Sequence, residues 1–144
     1  MIGFGFHETM SGSYHDGQRE RPISFTVEVR APHLLHFLIE RDATMAGHVD
    51  APGLATRAPL AGTMRIDPLL GRVIGYRFTF TGDNGKSYRF AGQKDVSARH
   101  PVQSMTTLRG ELTDETDGRP VGDAVLLFDI KHLPSFLMSW RPVR

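Results

Sequence analysis

Apolar and polar residues alternate along most of this chain, which is the pattern of half-buried β-strands. The first segment alternates from its start, and one of its faces consists of Phe4, Phe6, Glu8, Met10, Gly12 and Tyr14. The second segment places Ile23, Phe25, Val27 and Val29 on one face and polar side chains on the other. Glycines and prolines then interrupt the chain at short intervals, so further strands are predicted near 44–50, 60–66, 103–113 and 121–130.

The clearest local signal is a hairpin over residues 73–95. A two-residue turn at 84–85 would pair Phe80 with Arg89, whereas a three-residue loop at 83–85 pairs Phe80 with Tyr88 and gathers the aromatic rings on one face. We therefore predict the three-residue loop, with Gly85 in the left-handed conformation. The predicted register pairs Phe80 with Tyr88, Phe78 with Phe90, Tyr76 with Gly92 and Ile74 with Lys94, so that Tyr76 covers the strand glycine.

Two segments break the alternation and predict short helices. Leucines and an isoleucine follow helical spacing over residues 33–40. The second helix spans residues 133–140, with Pro134 in its first turn and Pro142 ending it. The chain is thus predicted to contain about eight strands and two short helices.

Short connections between successive strands favour antiparallel pairing, and eight strands with one apolar face can close on themselves. We therefore expect a single all-β domain over residues 1–144, an up-and-down antiparallel barrel of the lipocalin or calycin kind. A barrel of this strand count is filled by side chains or holds one small ligand. The same pattern also allows a two-sheet β-sandwich as the alternative fold.

Composition narrows the function classes without choosing one. Hydrophobic residues make up 40% of the 144 residues and charged residues 23%, as in ordinary globular domains. There is no cysteine, which excludes disulfides, thiolate metal sites and thiol nucleophiles. The net charge of +1 lacks the excess of basic residues that is typical of nucleic-acid-binding proteins. No apolar run is long enough to span a bilayer. Because no targeting signal is visible, we expect a soluble cytoplasmic protein.

The familiar site motifs all lack their structural context. His33, His36 and His48 do not converge with a carboxylate at a spacing typical of zinc sites, so no metal is expected. The Gly3-Phe4-Gly5 run begins a strand and opens no helix, and no nucleophile elbow is present. We therefore expect no cofactor, and the absence of a flavin, nicotinamide or nucleophile motif favours binding over catalysis.

Arginine supplies fourteen of the seventeen basic residues. Arg65, Arg72, Arg77 and Arg89 cluster in the middle strands, where an arginine-rich sheet face could hold an anionic ligand or RNA. Acidic residues are interleaved with them and aromatic residues alternate to the opposite face. This pattern favours a solvated barrel exterior.

Two charged residues interrupt the apolar inner face. Glu8 lies on the same face of its predicted strand as Phe6 and Met10. Lys94 lies on the same face of its strand as Tyr88 and Phe90. Since Lys and Glu are rarely buried without a partner, we expect them to meet each other, water or a ligand inside the barrel. The alternative is that one or both sit near a barrel mouth and reach solvent.

Several short motifs together resemble a known family. They are Phe6-x-Glu8-x-Met10-x-Gly12, Ala61-Gly62-Thr63-Met64, Tyr76-Arg77-Phe78-x-Phe80, Gly92-x-Lys94, Thr106-Thr107-Leu108 and Pro134-Ser135-Phe136-Leu137. This set, covering roughly residues 4–140, resembles an accessory module joined to flavin-dependent GMC oxidoreductases of the cholesterol-oxidase kind in actinobacteria, sometimes beside an α/β-hydrolase domain. The resemblance implies a context of sterol or lipid metabolism and a separate oxidoreductase as partner. It carries no catalytic residue over to this chain.

Three functions follow from these observations. The first is a module that binds a small apolar ligand such as a sterol or a lipid, with a predicted ligand site of Phe6, Glu8, Met10, Phe25, Tyr76, Phe78, Phe90 and Lys94. The second is a barrel enzyme acting on a lipid (an isomerase, cyclase or hydrolase), with Glu8 as the candidate catalytic acid or base. The third is a structural docking domain.

Overall fold

The strands of this protein form one antiparallel sheet that closes on itself. The computed structural model describes residues 3–33, 37, 41–66, 73–97, 99–100, 104, 106–128 and 141–143. Within them the strands are β1 (Gly3–His15), β2 (Glu20–Ala31), β3 (Asp42–Ala51), β4 (Ala55–Ile66), β5 (Val73–Thr81), β6 (Ser87–Asp95), β7 (Thr107–Asp114), β8 (Pro120–Phe128) and β9 (Arg141–Val143). Each strand from β1 to β7 pairs with the next strand in the chain.

The first strand closes the barrel because both of its edges are paired. One edge pairs with β2 from Phe4 to His15. The other edge is divided, with Met10–His15 pairing with β8 and Gly3–Gly5 pairing with β9. The result is a closed eight-strand antiparallel barrel to which β9 adds a short extra pairing. The all-β barrel predicted from the sequence is confirmed, and the sandwich alternative is excluded.

The last strand was not predicted. The sequence placed a helix up to residue 140 and treated Pro142 as its end, whereas Pro142 lies within β9 and pairs with Phe4. A three-residue strand is too short to show alternation, and proline is tolerated there because β9 has a neighbour on one side only. The predicted helix itself, at 133–140, lies outside the described residues.

Other predicted boundaries need smaller corrections. Strand β4 begins at Ala55 instead of residue 60, because a register shift after Val49 aligns Ala51 with Ala55 across the β3–β4 turn. Strand β7 begins at Thr107 instead of residue 103. The first predicted helix lies mostly outside the described residues. At Phe37, however, the N–H donates to the His33 carbonyl and the carbonyl accepts from the Arg41 N–H, as in an α-helix.

The hairpin over β5 and β6 has the register that the sequence predicted. All four predicted pairs are present, from Phe80 with Tyr88 to Ile74 with Lys94. Gly85 has a φ of +81°, the left-handed conformation that the bulged turn requires. Tyr76 is paired with Gly92, but the nearest side-chain atom to where a Gly92 Cβ would lie is Cζ of Phe90, at 2.9 Å. The same Phe90 Cζ lies 2.5 Å from where a Cβ of Gly110 would be.

The two ends of the barrel differ in their connections. At one end, which we call the short-loop end, the strands are joined by residues 16–19, 52–54, 82–86 and 115–119. At the opposite end, the long-loop end, the connections are residues 32–41, 67–72, 96–106 and 129–140. The turns at the short-loop end are tied to each other, since Asp83 accepts hydrogen bonds from the backbone N–H and the hydroxyl of Thr56.

The Gly85 turn provides a test of the hairpin. We expect Gly85→Ala to lower the free energy of unfolding by roughly 1 kcal/mol, because a Cβ is strained in the left-handed conformation. Gly75→Ala is the matched control, since a Cβ there would meet only the Arg65 side chain at 3.8 Å. Urea denaturation measures both variants. Equal stability of Gly85→Ala and the wild type would contradict the assigned turn.

Candidate functional site

A layer of charge crosses the barrel interior. The Lys94 ammonium donates to Oε2 of Glu8 at 3.0 Å, and the Tyr76 hydroxyl donates to Oε1 of the same carboxylate. The Lys94 Nζ also lies 5.1 Å from the centre of the Tyr76 ring. All three residues are buried, with Glu8 6% and Lys94 3% exposed. We call Glu8, Tyr76 and Lys94 the charged layer.

Strand parity and barrel closure together bring these three residues into contact. Glu8 points inward because it shares a face of β1 with Phe6 and Met10, which are buried. Tyr76 and Lys94 point inward because the hairpin register places them opposite Gly92 and Ile74 on the same face. In the strand order, β5 lies on the far side of the closed sheet from β1. The charged layer therefore connects opposite walls of the barrel.

Burial makes the charged layer costly unless it is fully paired. Taking a carboxylate and an ammonium out of water costs several kcal/mol for each ion, and only close pairing offsets that cost. Both Glu8 oxygens accept a hydrogen bond, and among the described residues no buried side-chain nitrogen or oxygen lacks a partner. The sequence prediction that Glu8 and Lys94 face inward is confirmed, and of the partners that were left open the structure shows a direct contact between the two.

The electrostatics of Tyr76 follow from the same arrangement. Burial raises the pKa of the Tyr76 hydroxyl well above 10.0, and the Glu8 charge and the hydrogen bond to Glu8 raise it further. Tyr76 is therefore a neutral donor at physiological pH.

An ammonium has three N–H donors, and Glu8 is the one hydrogen-bond acceptor shown for Lys94 among the described residues. The layer can thus offer both donors and acceptors to a polar group placed beside it.

An aromatic block fills the barrel on the short-loop side of the charged layer. Phe78 stacks on Phe90 with ring centres 5.1 Å apart, and Phe25 meets Phe78 edge-on at 5.2 Å. Phe80 and Tyr88 stack beyond them at 5.6 Å. Such pairs add to the stability that burial alone supplies. This part of the lumen is a packed core.

A second aromatic group lies on the long-loop side. Phe4 and Phe6 lie parallel with ring centres 6.4 Å apart, and Phe37 meets Phe4 edge-on at 5.1 Å. Phe6 and Phe37 are buried, whereas Phe4 is half-buried. An apolar region therefore lies between the charged layer and the long-loop end.

All eight residues of the predicted ligand site lie inside the barrel. They are Phe6, Glu8, Met10, Phe25, Tyr76, Phe78, Phe90 and Lys94, each buried. Three of them form the charged layer, Phe25, Phe78 and Phe90 belong to the aromatic block, and Phe6 lies on the long-loop side. Met10 is paired with Phe25 across β1 and β2. Their role in ligand binding stays a prediction.

Sequence reasoning missed two features of the interior. The hydrogen bond between Tyr76 and Glu8 joins strands far apart in the chain, and no local pattern indicates it. Asp114 is buried, and it accepts from the Thr116 backbone N–H and lies 3.7 Å from the Lys86 ammonium. An aspartate bonded to the N–H two residues on is a turn signature, so Asp114 shapes the β7–β8 turn.

Two further kinds of feature concern the part of the chain that the structure describes, a cluster of metal ligands and a membrane-spanning helix. No group of three or more histidine or acidic side chains there could hold a metal ion. None of its helices is long and apolar enough to cross a membrane.

Comparison with models of protein families, with curated proteins and with solved structures gave no significant match.

The charged layer predicts a specific pattern of stabilities. We expect Glu8→Ala to lower the free energy of unfolding by roughly 3–5 kcal/mol, because Lys94 then remains buried without its partner. Replacing both residues, as Glu8→Leu with Lys94→Met, should cost less than the single change. Urea denaturation of Glu8→Leu, Lys94→Met and the double variant gives the coupling energy. Additive effects of the two changes would contradict a direct ion pair.

Tyr76 predicts how stability depends on alkaline pH. Since the folded-state pKa of Tyr76 is raised above 10.0, its contribution to stability is present below pH 10 and is lost as the pH rises further. The difference in free energy of unfolding between the wild type and Tyr76→Phe should therefore narrow above about pH 10. Denaturation curves at several alkaline pH values measure it. A constant difference would show that Tyr76 titrates alike in both states.

Proposed function

We propose that this barrel binds a small apolar ligand with one polar group, of the sterol or fatty acyl class, and that the charged layer receives the polar group. The observation that carries this proposal is the buried pairing of Glu8, Tyr76 and Lys94 inside a lumen that is otherwise lined mainly by apolar side chains. Ligand sites are mostly apolar and contain a few placed polar groups.

The cost of the charged layer supports a role beyond folding. Replacing a buried ion pair with packed apolar residues is often neutral or stabilising. Phe25, Phe78 and Phe90 show that this barrel fills its interior with apolar side chains elsewhere. Stability alone therefore does not account for two charges here, whereas a ligand carrying a hydroxyl or carboxyl group gives them a use.

The position of the layer suggests the direction of entry. Lys94 is the last residue but one of β6, at the long-loop end, and Glu8 lies nearer that end of β1 than the other. The aromatic block separates the layer from the short-loop end. The ligand would therefore enter from the long-loop end, with its apolar body against Phe4 and Phe6 and its polar group at Glu8.

The resemblance to the accessory module of sterol-oxidising GMC enzymes favours a sterol among apolar ligands. In that setting the barrel would hold the sterol for a separate oxidoreductase, which supplies the flavin chemistry. The polar end of a sterol is a single hydroxyl, which can donate to Glu8 and accept from Lys94.

A second candidate is an enzyme that acts on the bound lipid. It is favoured by the Tyr76–Glu8 hydrogen bond, which joins a neutral hydroxyl to a carboxylate and so provides a path for a proton. General acid–base catalysis needs such a group within hydrogen-bond reach of the substrate. Glu8 would act as the base once a substrate displaces one of its present partners.

Binding of two fluorescent probes tests the first proposal. Dehydroergosterol represents sterols and cis-parinaric acid represents fatty acids, and each is titrated into the purified protein. We expect saturable binding of at least one probe, and roughly tenfold weaker binding in Glu8→Gln because a hydrogen bond to a charged group is lost. Glu111→Gln, the same change at an exposed site on β7, is the matched control and should bind as the wild type does.

Tyr76→Phe keeps the test decisive if Glu8→Gln folds poorly, since it preserves the Glu8–Lys94 pair. Binding of neither probe by the wild type, or equal binding by all variants, would contradict the proposal and favour a docking domain.

Mass spectrometry of the recovered lipid separates the binding module from the enzyme. A product formed by the wild type and not by Glu8→Gln would establish the enzyme.

A further inference from the structure

The outer face of β4–β7 carries a depression of about 630 Å³. Its floor is formed by residues with little or no side chain, which are Gly75, Ala91, Gly92 and Gly110. Arg65, Arg77 and Arg109 line it from three different strands. Small residues at its centre and long cationic side chains around them make a concave, basic site.

The sheet register shows why these arginines surround the glycines. Arg65 is paired with Gly75, Gly75 with Gln93, and Gln93 with Arg109, which places the four residues in one row across the sheet. Since neighbouring strands lie about 4.8 Å apart, the two arginine Cα atoms of this row are roughly 14 Å apart. Arg77 extends from the adjacent row on β5. Arginine side chains are long enough to converge over the gap that Gly75 leaves.

The protein itself neutralises the three arginines only in part. Arg65 lies 3.9 Å from Asp42, but both side chains are exposed, so this pair contributes little. Among the described residues, the ion pairs within 4.0 Å include no partner of Arg77 or Arg109. Glu111 lines the depression on its β7 side. An anion bound between the guanidinium groups would relieve their mutual repulsion.

We propose that this depression binds the phosphate group of a phosphate monoester. Guanidinium groups bind phosphate through paired N–H donors, and a phosphate monoester presents three terminal oxygens to three arginines. A carboxylate has two oxygens and a single charge, and it would leave one arginine without a bonded partner. Since Asp42 and Glu111 offset part of the arginine charge, it is the match of three oxygens to three guanidinium groups that favours a phosphate monoester, carried by either a soluble metabolite or a lipid headgroup.

Isothermal titration calorimetry with glycerol 3-phosphate tests the proposal, and vesicles of phosphatidylcholine with and without phosphatidic acid provide a lipid arm. We expect binding that Arg77→Gln and Arg109→Gln each weaken roughly tenfold, the loss of a charged hydrogen bond. Arg89→Gln is the matched control, since Arg89 is exposed on the outer face of β6 and does not line the depression. All three arginines are exposed, so their variants should fold.

Tighter binding to the phosphatidic acid vesicles than to glycerol 3-phosphate would identify a lipid headgroup, and the reverse would identify a soluble monoester. Both results support the site if they depend on Arg77 and Arg109. Loss of binding in Arg89→Gln to the same extent would contradict it, because the attraction would then belong to the whole face. Tighter binding of single-stranded RNA than of either phosphate probe, or no binding of glycerol 3-phosphate and the vesicles, would also overturn it.

Discussion

The ion pair between Glu8 and Lys94 is the constraint on which the barrel interior depends. A carboxylate and an ammonium withdrawn from water are tolerated only when they bond each other closely. That requires β1 and β6, which lie far apart around the sheet, to face each other with the correct residues inward. A one-residue slip of either strand would turn a charge outward and several phenylalanines into water. The hairpin register and the closure through β1 are therefore both needed for the pair to form.

Strands β5 and β6 carry different chemistry on their two faces because side chains alternate along a strand. Tyr76 and Lys94 point into the lumen, and their chain neighbours Arg77 and Gln93 line the outer depression. The glycines contribute to both faces. Gly92 and Gly110 make room for the Phe90 ring on the inside and form the floor of the depression on the outside. Strand β5 would thus contribute to both sites, with Tyr76 bonded to Glu8 in the lumen and Arg77 at the outer depression.

Features set by nearby residues could be predicted from the sequence, and features set by barrel closure could not. The β5–β6 register follows from a short turn and the alternation on each side of it, and parity alone placed Glu8 and Lys94 inside. The Tyr76–Glu8 bond depends on how far the sheet curls before it closes, which no local pattern specifies. Arg109 was absent from the predicted arginine cluster because its row depends on the β6–β7 register, which residues 96–106 separate from any turn signal. Strand β9 is too short to alternate, and its pairing joins the two ends of the chain.

The central claim is that the charged layer is a binding element inside the barrel, and the Lys94 ammonium can report on it directly. The chain contains three lysines, so ¹⁵N-lysine labelling gives few side-chain signals, and the signal absent from Lys94→Met identifies Lys94. Its Nζ resonance should be visible without ligand, since burial and the Glu8 hydrogen bond slow proton exchange with water. Titration with dehydroergosterol or cis-parinaric acid should shift this resonance to saturation while the backbone amide resonance of Lys86, in the loop at the short-loop end, stays in place. A Lys94 resonance that does not move when a probe binds would contradict the account.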